Sequence, residues 1–319
     1  LKYAEENRDY NNPAISIGPA AIFLDFCKER NISVRGHTFV WHSQTPTWFF
    51  KEKWDKNEEW VNKETMLKRM ENFIKNVFKK ITDEYPSIDF YAWDVVNEAL
   101  QENGTPRKGG TQEEGIGYSP WVKVFKDNSF VKYAFQFAKK YAPKGCKLYY
   151  NEYNEFNPDK TKAIIELIEE VNSDEKLIDG IGLQSHLNLQ FPSANIYEKV
   201  RLAFEETGLD LQITELDVSI IGNTEQLFKE QADYYKEIMS VLLNHSDSIS
   251  AVVFWGTLDC NSWHRSNYPL LFNEDYTAKP SYYSIVELGD TTEIDDEDYD
   301  DPNYNILINT SFEDNNLTY

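Results

Sequence analysis

The chain has 319 residues, 41% of them hydrophobic and 15% aromatic, enough to bury a large core. Its 54 acidic residues against 32 basic ones leave a net charge of −22, with no basic stripe to hold polyphosphate. That balance argues against nucleic acid as a partner but would not repel a neutral polymer. No run of about 18 apolar residues occurs, so no membrane-spanning helix is expected.

The first residues, Leu1-Lys2-Tyr3-Ala4-Glu5-Glu6, are neither a start methionine nor a signal peptide, so the chain is expected to begin within a longer protein. Residues 1–13 read as a polar loop. From about residue 14 to 288, short apolar runs alternate with longer amphipathic stretches. The expected strands are 34–42, 89–98, 147–154, 180–187, 210–219 and 250–259; the expected helices are 65–85, 130–142, 160–171, 196–206 and 224–244. In the first helix Met66, Met70, Phe73, Ile74, Val77, Phe78 and Ile81 recur at helical spacing. Strand and helix in alternation predict a parallel sheet covered by helices.

An open doubly wound sheet and a closed (β/α)8 barrel share this order. The barrel is favoured because no glycine-rich phosphate turn follows a strand. It is also favoured because the strands end in reactive side chains: Trp41-His42, Asn97-Glu98, Glu152-Tyr153-Asn154, His186, Glu215 with Asp217, and Trp255 to Asp259. A barrel gathers the C-terminal ends of all its strands at one mouth. Six strands are counted where a barrel has eight, and the first two are expected upstream of Leu1. The catalytic barrel is thus assigned to residues 1–288. Beyond it, residues 289–304 form an acidic linker, with eight acidic and no basic residues between Asp290 and Asp301. Residues 305–319 read as a strand that starts a further module. Cys27, Cys146 and Cys260 are an odd count with neither zinc spacing nor a disulfide framework.

Two carboxyl groups carry the chemistry. Glu98 ends the apolar run Trp93-Asp94-Val95-Val96-Asn97, and Glu215 lies in Ile213-Thr214-Glu215-Leu216-Asp217. Glu215 and Asp217 share a face by the two-residue period, whereas Asn97 and Glu98 need a twist or bulge to do so. Glu98 ends the second visible strand and Glu215 the fifth, and strands three apart in a closed barrel face each other obliquely. Such a pair suits glycoside hydrolysis, in which one carboxylic acid protonates the leaving oxygen and the other carboxylate attacks or activates water. Trp41, Trp255 and Trp263 offer flat faces for pyranose rings, and His37, Asn97, Gln184 and His186 offer hydrogen bonds to hydroxyls. His37, His42 and His186 lack the spacing of a three-ligand zinc site. No Gly-x-Ser-x-Gly motif is present.

These residues carry a resemblance. Val34-Arg35-Gly36-His37-Thr38-Phe39-Val40-Trp41-His42-Ser43-Gln44-Thr45-Pro46 resembles the third-strand signature of glycoside hydrolase family 10, the endo-β-1,4-xylanases. Trp93 to Glu98, Gln184-Ser185-His186 and Ile213 to Asp217 resemble its other signatures in the same order, and Trp255-Gly256 with Trp263 its last aromatic cluster. The resemblance implies a (β/α)8 barrel that cleaves xylan or xylo-oligosaccharide internally with retention, without metal or other cofactor. It implies Glu98 as acid/base, with a raised pKa in the free enzyme, and Glu215 as nucleophile, the carboxyls about 5–5.5 Å apart. Asn97 would bond the sugar 2-hydroxyl, His186 would orient Glu215, and Asp217 would stand behind His186. His37, Trp41, Gln44, Gln184, Trp255 and Trp263 would line the sugar pocket. The family's Asn-Glu-Met-Lys type segment on the second strand has no counterpart here, so an N-terminal segment of the same protein is expected to complete the barrel. Residues 305–319 resemble the opening strand of a carbohydrate-binding module. A monomer at a secreted or cell-surface location is expected. Two other readings stay open: a non-catalytic xylan-binding relic, and a related barrel hydrolase acting on cellulose or mannan.

Overall fold

The structure, a computed structural model, describes residues 2–3 and 15–289. They divide between two compact units, one of the described residues up to 152 with 162–182 and the other of residues 153–161 with 183–289.

In the first unit Lys2–Tyr3 pairs antiparallel with Ile15–Ser16, so the expected N-terminal loop contains a short ladder. The rest of that loop lies outside the described residues. Helix α1, Gly18–Glu29, was not foreseen because its apolar residues form no single stripe: Leu24 and Cys27 are buried while Ile22 and Phe26 are exposed. Strand β1, Arg35–Trp41, and strand β2, Ala92–Asn97, are joined through α2, Lys63–Glu84. The α2 apolar stripe is the expected one, and all seven of its residues are buried. Asn62 caps it by accepting from the Thr65 amide at 2.8 Å. Two further helices, α3 (Pro120–Phe125) and α4 (Ser129–Tyr141), lead to strand β3, Lys147–Glu152.

The three strands pair in parallel with Gly36 opposite Trp93, Trp41 opposite Asn97 and Asn97 opposite Asn151. Gly36 is required by close approach, since a Cβ there would lie 2.1 Å from the Trp93 ring. Phe39 stacks on that ring at 4.7 Å between centroids. Helix α5, Pro158–Val171, and strand β4, Gly180–Leu183, each have residues in both units.

In the second unit β5 (His186–Asn188), α6 (Ala194–Glu205), β6 (Asp210–Ser219), α7 (Glu225–Asn244), β7 (Ile249–Phe254) and α8 (Pro280–Gly289) follow in order. Strand β6 pairs in parallel with β5, placing Asp217 opposite His186, and with β7, placing Leu216 opposite Phe254.

Three expectations are corrected here. The single strand 180–187 is two strands, because Ser185 turns into the left-handed region at φ +57° and breaks the ladder. The strand expected at 250–259 stops at Phe254, and a 3-10 turn occupies Asp259–Asn261. Gly289, assigned to the linker, closes α8, a helix whose only buried side chain is Ser281 and which therefore carries no apolar stripe. The remainder of the 289–304 linker and the 305–319 module lie outside the described residues.

Candidate functional site

The first cluster is built where β2 ends. Asn97 is the last strand residue, and Glu98 follows with φ +55°, which takes it out of strand alternation and supplies the twist that the pair needed. The Glu98 amide donates to Asn151 O at 3.0 Å, so β3 holds the turn. Glu98 Oε2 accepts from Trp41 Nε1 at 2.8 Å, and Oε1 accepts from Asn97 Nδ2 at 3.2 Å. Asn97 Oδ1 in turn accepts from Asn151 Nδ2 at 3.0 Å, which fixes the orientation of the amide. Farther out stand His42 Nδ1 at 3.8 Å and Arg107 Nη2 at 4.0 Å from Oε2, while Arg107 Nε donates to the Glu98 carbonyl at 2.8 Å. Arg107 has no sequence signal, and His42 is read from sequence as a reactive strand-end residue and weighed as a metal ligand, not as a partner of Glu98.

His37 faces Asp94, whose carboxylate lies 2.9 Å from its Nδ1 and is also paired with Arg35. Burial pushes the Asp94 carboxyl up, but the Arg35 guanidinium and the His37 hydrogen bond outweigh it and hold the group below the usual carboxylate range. A charged floor thereby fixes the His37 ring. His37, Trp41 and Gln44 come together with Trp48 and Trp121 around a cavity of about 150 Å³.

The second cluster lies on β5, β6 and the chain after β7. Glu215 is buried within β6, and its amide donates to Gln184 O at 3.1 Å. His186 stands between two carboxylates, with Nε2 at 3.0 Å from Glu215 Oε2 and Nδ1 at 3.0 Å from Asp217 Oδ2. Burial by itself would lower the imidazole pKa. Asp217 and Glu215, one on each nitrogen, outweigh burial and raise it well above its ordinary value. Trp263 Nε1 donates to Asp217 Oδ2 at 2.9 Å, and its ring lies 4.9 Å from the His186 ring. The Trp255 ring is 6.4 Å from His186, and its amide donates to Leu216 O.

Sequence reasoning missed what holds Trp263. His264 stacks on it at 3.6 Å between centroids. The loop is clamped by Lys279, whose ammonium bonds Asp259 Oδ2 at 2.9 Å and Tyr268 O at 2.7 Å. Asp259 had been noted at the end of an expected strand; its partner, 20 residues on, carried no signal.

Comparison with known proteins gives a consistent set of matches. Residues 2–288 match the family model described as glycosyl hydrolase family 10. The bifunctional endo-1,4-beta-xylanase XylA of Ruminococcus flavefaciens is 45% identical over 278 residues, covering 87% of this chain and 28% of that protein. Endo-1,4-beta-xylanase Y of Acetivibrio thermocellus is 43% identical over 290 residues, covering 87% and 27%. The chain thus spans little more than a quarter of the length of these curated relatives. Among solved structures, the CBM22-1–GH10 modules of Clostridium thermocellum endo-1,4-beta-D-xylanase 10B, complexed with xylohexaose, superpose with a TM-score of 0.83 at 39% identity. That match covers 90% of this chain and 58% of the other.

Proposed function

The chain belongs to glycosyl hydrolase family 10, a family of (β/α)8 barrels, and from that premise we propose that it is a retaining endo-β-1,4-xylanase acting on xylan through Glu98 and Glu215. The observation that carries the reading is His186 held between Glu215 and Asp217 at 3.0 Å from each, an imidazole whose pKa the two carboxylates raise beside the carboxylate proposed to attack.

Glu98 gives its proton to the leaving glycosidic oxygen while Glu215 attacks the anomeric carbon, forming a glycosyl ester. Glu98, now a carboxylate, takes a proton from water, and the water displaces Glu215 to restore the starting configuration. The Trp41 indole N–H and the Asn97 amide each donate to one oxygen of Glu98 and hold it in a single rotamer while its proton leaves and returns. Trp41, Gln44 and His37 receive the chain on the Glu98 side; Gln184, Trp255 and Trp263 receive it on the Glu215 side. A neutral polysaccharide meets no repulsion from the net charge of −22. Secretion or cell-surface display fits a substrate too large to enter a cell.

Reducing-sugar release from xylan, carboxymethyl cellulose and mannan tests the reading. Xylan is expected to be hydrolysed fastest, with Glu215→Ala at least ~10⁴-fold slower. Equal rates on all three polymers, or full activity in Glu215→Ala, would remove the assignment.

A further inference from the structure

Ser185 occupies the left-handed region although it is not glycine, so its surroundings must hold it there. The break it makes separates Gln184 from His186, and both neighbouring carbonyls serve the nucleophile strand. Gln184 O accepts from the Glu215 amide at 3.1 Å, and Ser185 O lies 3.4 Å from the Asp217 amide. The Ser185 hydroxyl points the other way, into a fully buried polar group. It donates to Glu155 Oε1 at 2.7 Å and lies 2.7 Å from the Tyr197 hydroxyl.

Glu155 is fixed from two sides. The Thr161 hydroxyl donates to its carbonyl at 2.6 Å, and Arg201 Nη2 is 3.7 Å from its carboxylate. Tyr197 and Arg201 sit one turn apart on α6, and the guanidinium stacks on the Tyr197 ring at 4.6 Å. Glu155, Tyr197 and Arg201 are all 0% exposed. Among the described residues Glu155 Oε2 and the three Arg201 nitrogens have no hydrogen-bond partner. A buried ion pair this poorly satisfied is weak as a stabiliser, since desolvating two charges offsets much of their attraction. Its value lies in what it orders.

We propose that Glu155, Tyr197 and Arg201 are positioning residues that lock Ser185 in its left-handed turn, and that this lock sets where His186 meets Glu215. The inference rests on the xylanase reading for its catalytic consequence, but the geometry it fixes is measurable without turnover. Releasing Ser185 lets the Gln184–His186 segment slide along β6, which lengthens the His186 contacts to Glu215 and Asp217. Among the described residues the other groups facing His186 are Trp255, Trp263 and, at longer range, His264. None of these is an anion that could replace the lost pairing.

The test is Ser185→Ala, with Tyr197→Phe as a second variant that removes one hydroxyl from the same network should the first fail to fold. Histidine nitrogen shifts followed by NMR against pH, assigned with His186→Asn, read the imidazole directly. In the variants His186 is expected to lose its proton at a lower pH than in the wild type. On xylan kcat is expected to fall about 10-fold with KM within about 2-fold, because a small misplacement costs rate rather than affinity. Unchanged His186 titration in a folded variant overturns the lock. A shifted titration in a protein inactive on xylan keeps the lock and removes the xylanase reading instead.

Discussion

Glu98 leaves its strand through a left-handed residue and takes its close contacts from the uncharged Trp41 and Asn97, with His42 and Arg107 no nearer than 3.8 and 4.0 Å. Glu215 lies inside a ten-residue strand, flanked on both sides by parallel partners, with the His186 imidazole, its pKa raised by two carboxylates, at 3.0 Å. In the proposed mechanism Glu98 gives up a proton and takes one back, and a neutral N–H donor on each carboxyl oxygen favours the carboxylate less than a full counter-charge would. Glu215, the proposed nucleophile, instead faces an imidazole held on its other nitrogen by Asp217, an arrangement that favours the imidazolium. The same side-chain type is thus fitted to two tasks by what surrounds it, and each surrounding can be broken separately.

The largest effect is expected at Glu98. Glu98→Ala should lower xylan hydrolysis about 10²–10⁴-fold, the usual worth of a positioned acid. The first step on an aryl xyloside should survive, because a phenolate leaves without protonation. Stopped-flow release of nitrophenolate checks this, and an equal loss on both substrates would make Glu98 something other than the acid.

Next comes the charge relay behind Glu215. Asp217→Asn removes the anion on the far side of His186 and is expected to lower kcat about 10²-fold, since the imidazole then loses both its charge and its orientation. The same relay has a stability signature. His186 has a raised pKa in the folded chain, so the stability contributed by its charge is fully present below the unfolded value of 6.5 and is lost as the pH rises through the folded value. The difference in Tm between wild type and His186→Asn should therefore be widest below the unfolded value of 6.5 and shrink as the pH rises through the raised folded value. A gap that widened with pH would mean the imidazole is neutral. Trp41→Phe, on the Glu98 side, keeps an aromatic face and deletes the N–H at 2.8 Å from the carboxylate together with the pyrrole half of the indole. It should lower kcat by about 10-fold at unchanged KM, the worth of one hydrogen bond to a charged group.

How much of this could be read from the chain depends on whether the cause is local. The alternation of strands and helices, and the α2 stripe, follow from periodicity within one segment. So does the placing of Glu215 and Asp217 on one face, and both meet His186. The left-handed turn at Glu98 is a different matter, because only glycine announces positive φ and neither Glu98 nor Ser185 is one. The break at Ser185 is imposed by Glu155 and Tyr197 from other elements, and nothing in the run Gly180 to Leu187 marks it. Arg107 and Lys279 belong to the same class: their partners are set by chain folding, not by spacing. Helices α1 and α8 were missed because their buried faces are too narrow to make a stripe.

Trp263 gives the smallest effect and the finest comparison, since it serves two purposes at once. Its indole N–H anchors Asp217, while the residue is 40% exposed and its ring is the proposed face for sugar. Trp263→Phe keeps an apolar face and removes the donor; Asp217 still has His186, so kcat should fall only about 3-fold with KM nearly unchanged. Trp263→Ala removes the face as well, and KM should then rise about 10-fold, in line with the ~0.5–1.5 kcal/mol that ring contacts add beyond simple burial. Steady-state rates on xylo-oligosaccharides of increasing length separate the two. If the rise in KM is the same for short and long oligosaccharides, the ring touches the sugar beside the cleaved bond. If the rise appears only with longer ones, the ring belongs to a more distant position, and Trp263 reaches the chemistry through its bond to Asp217 and its contact with the His186 ring.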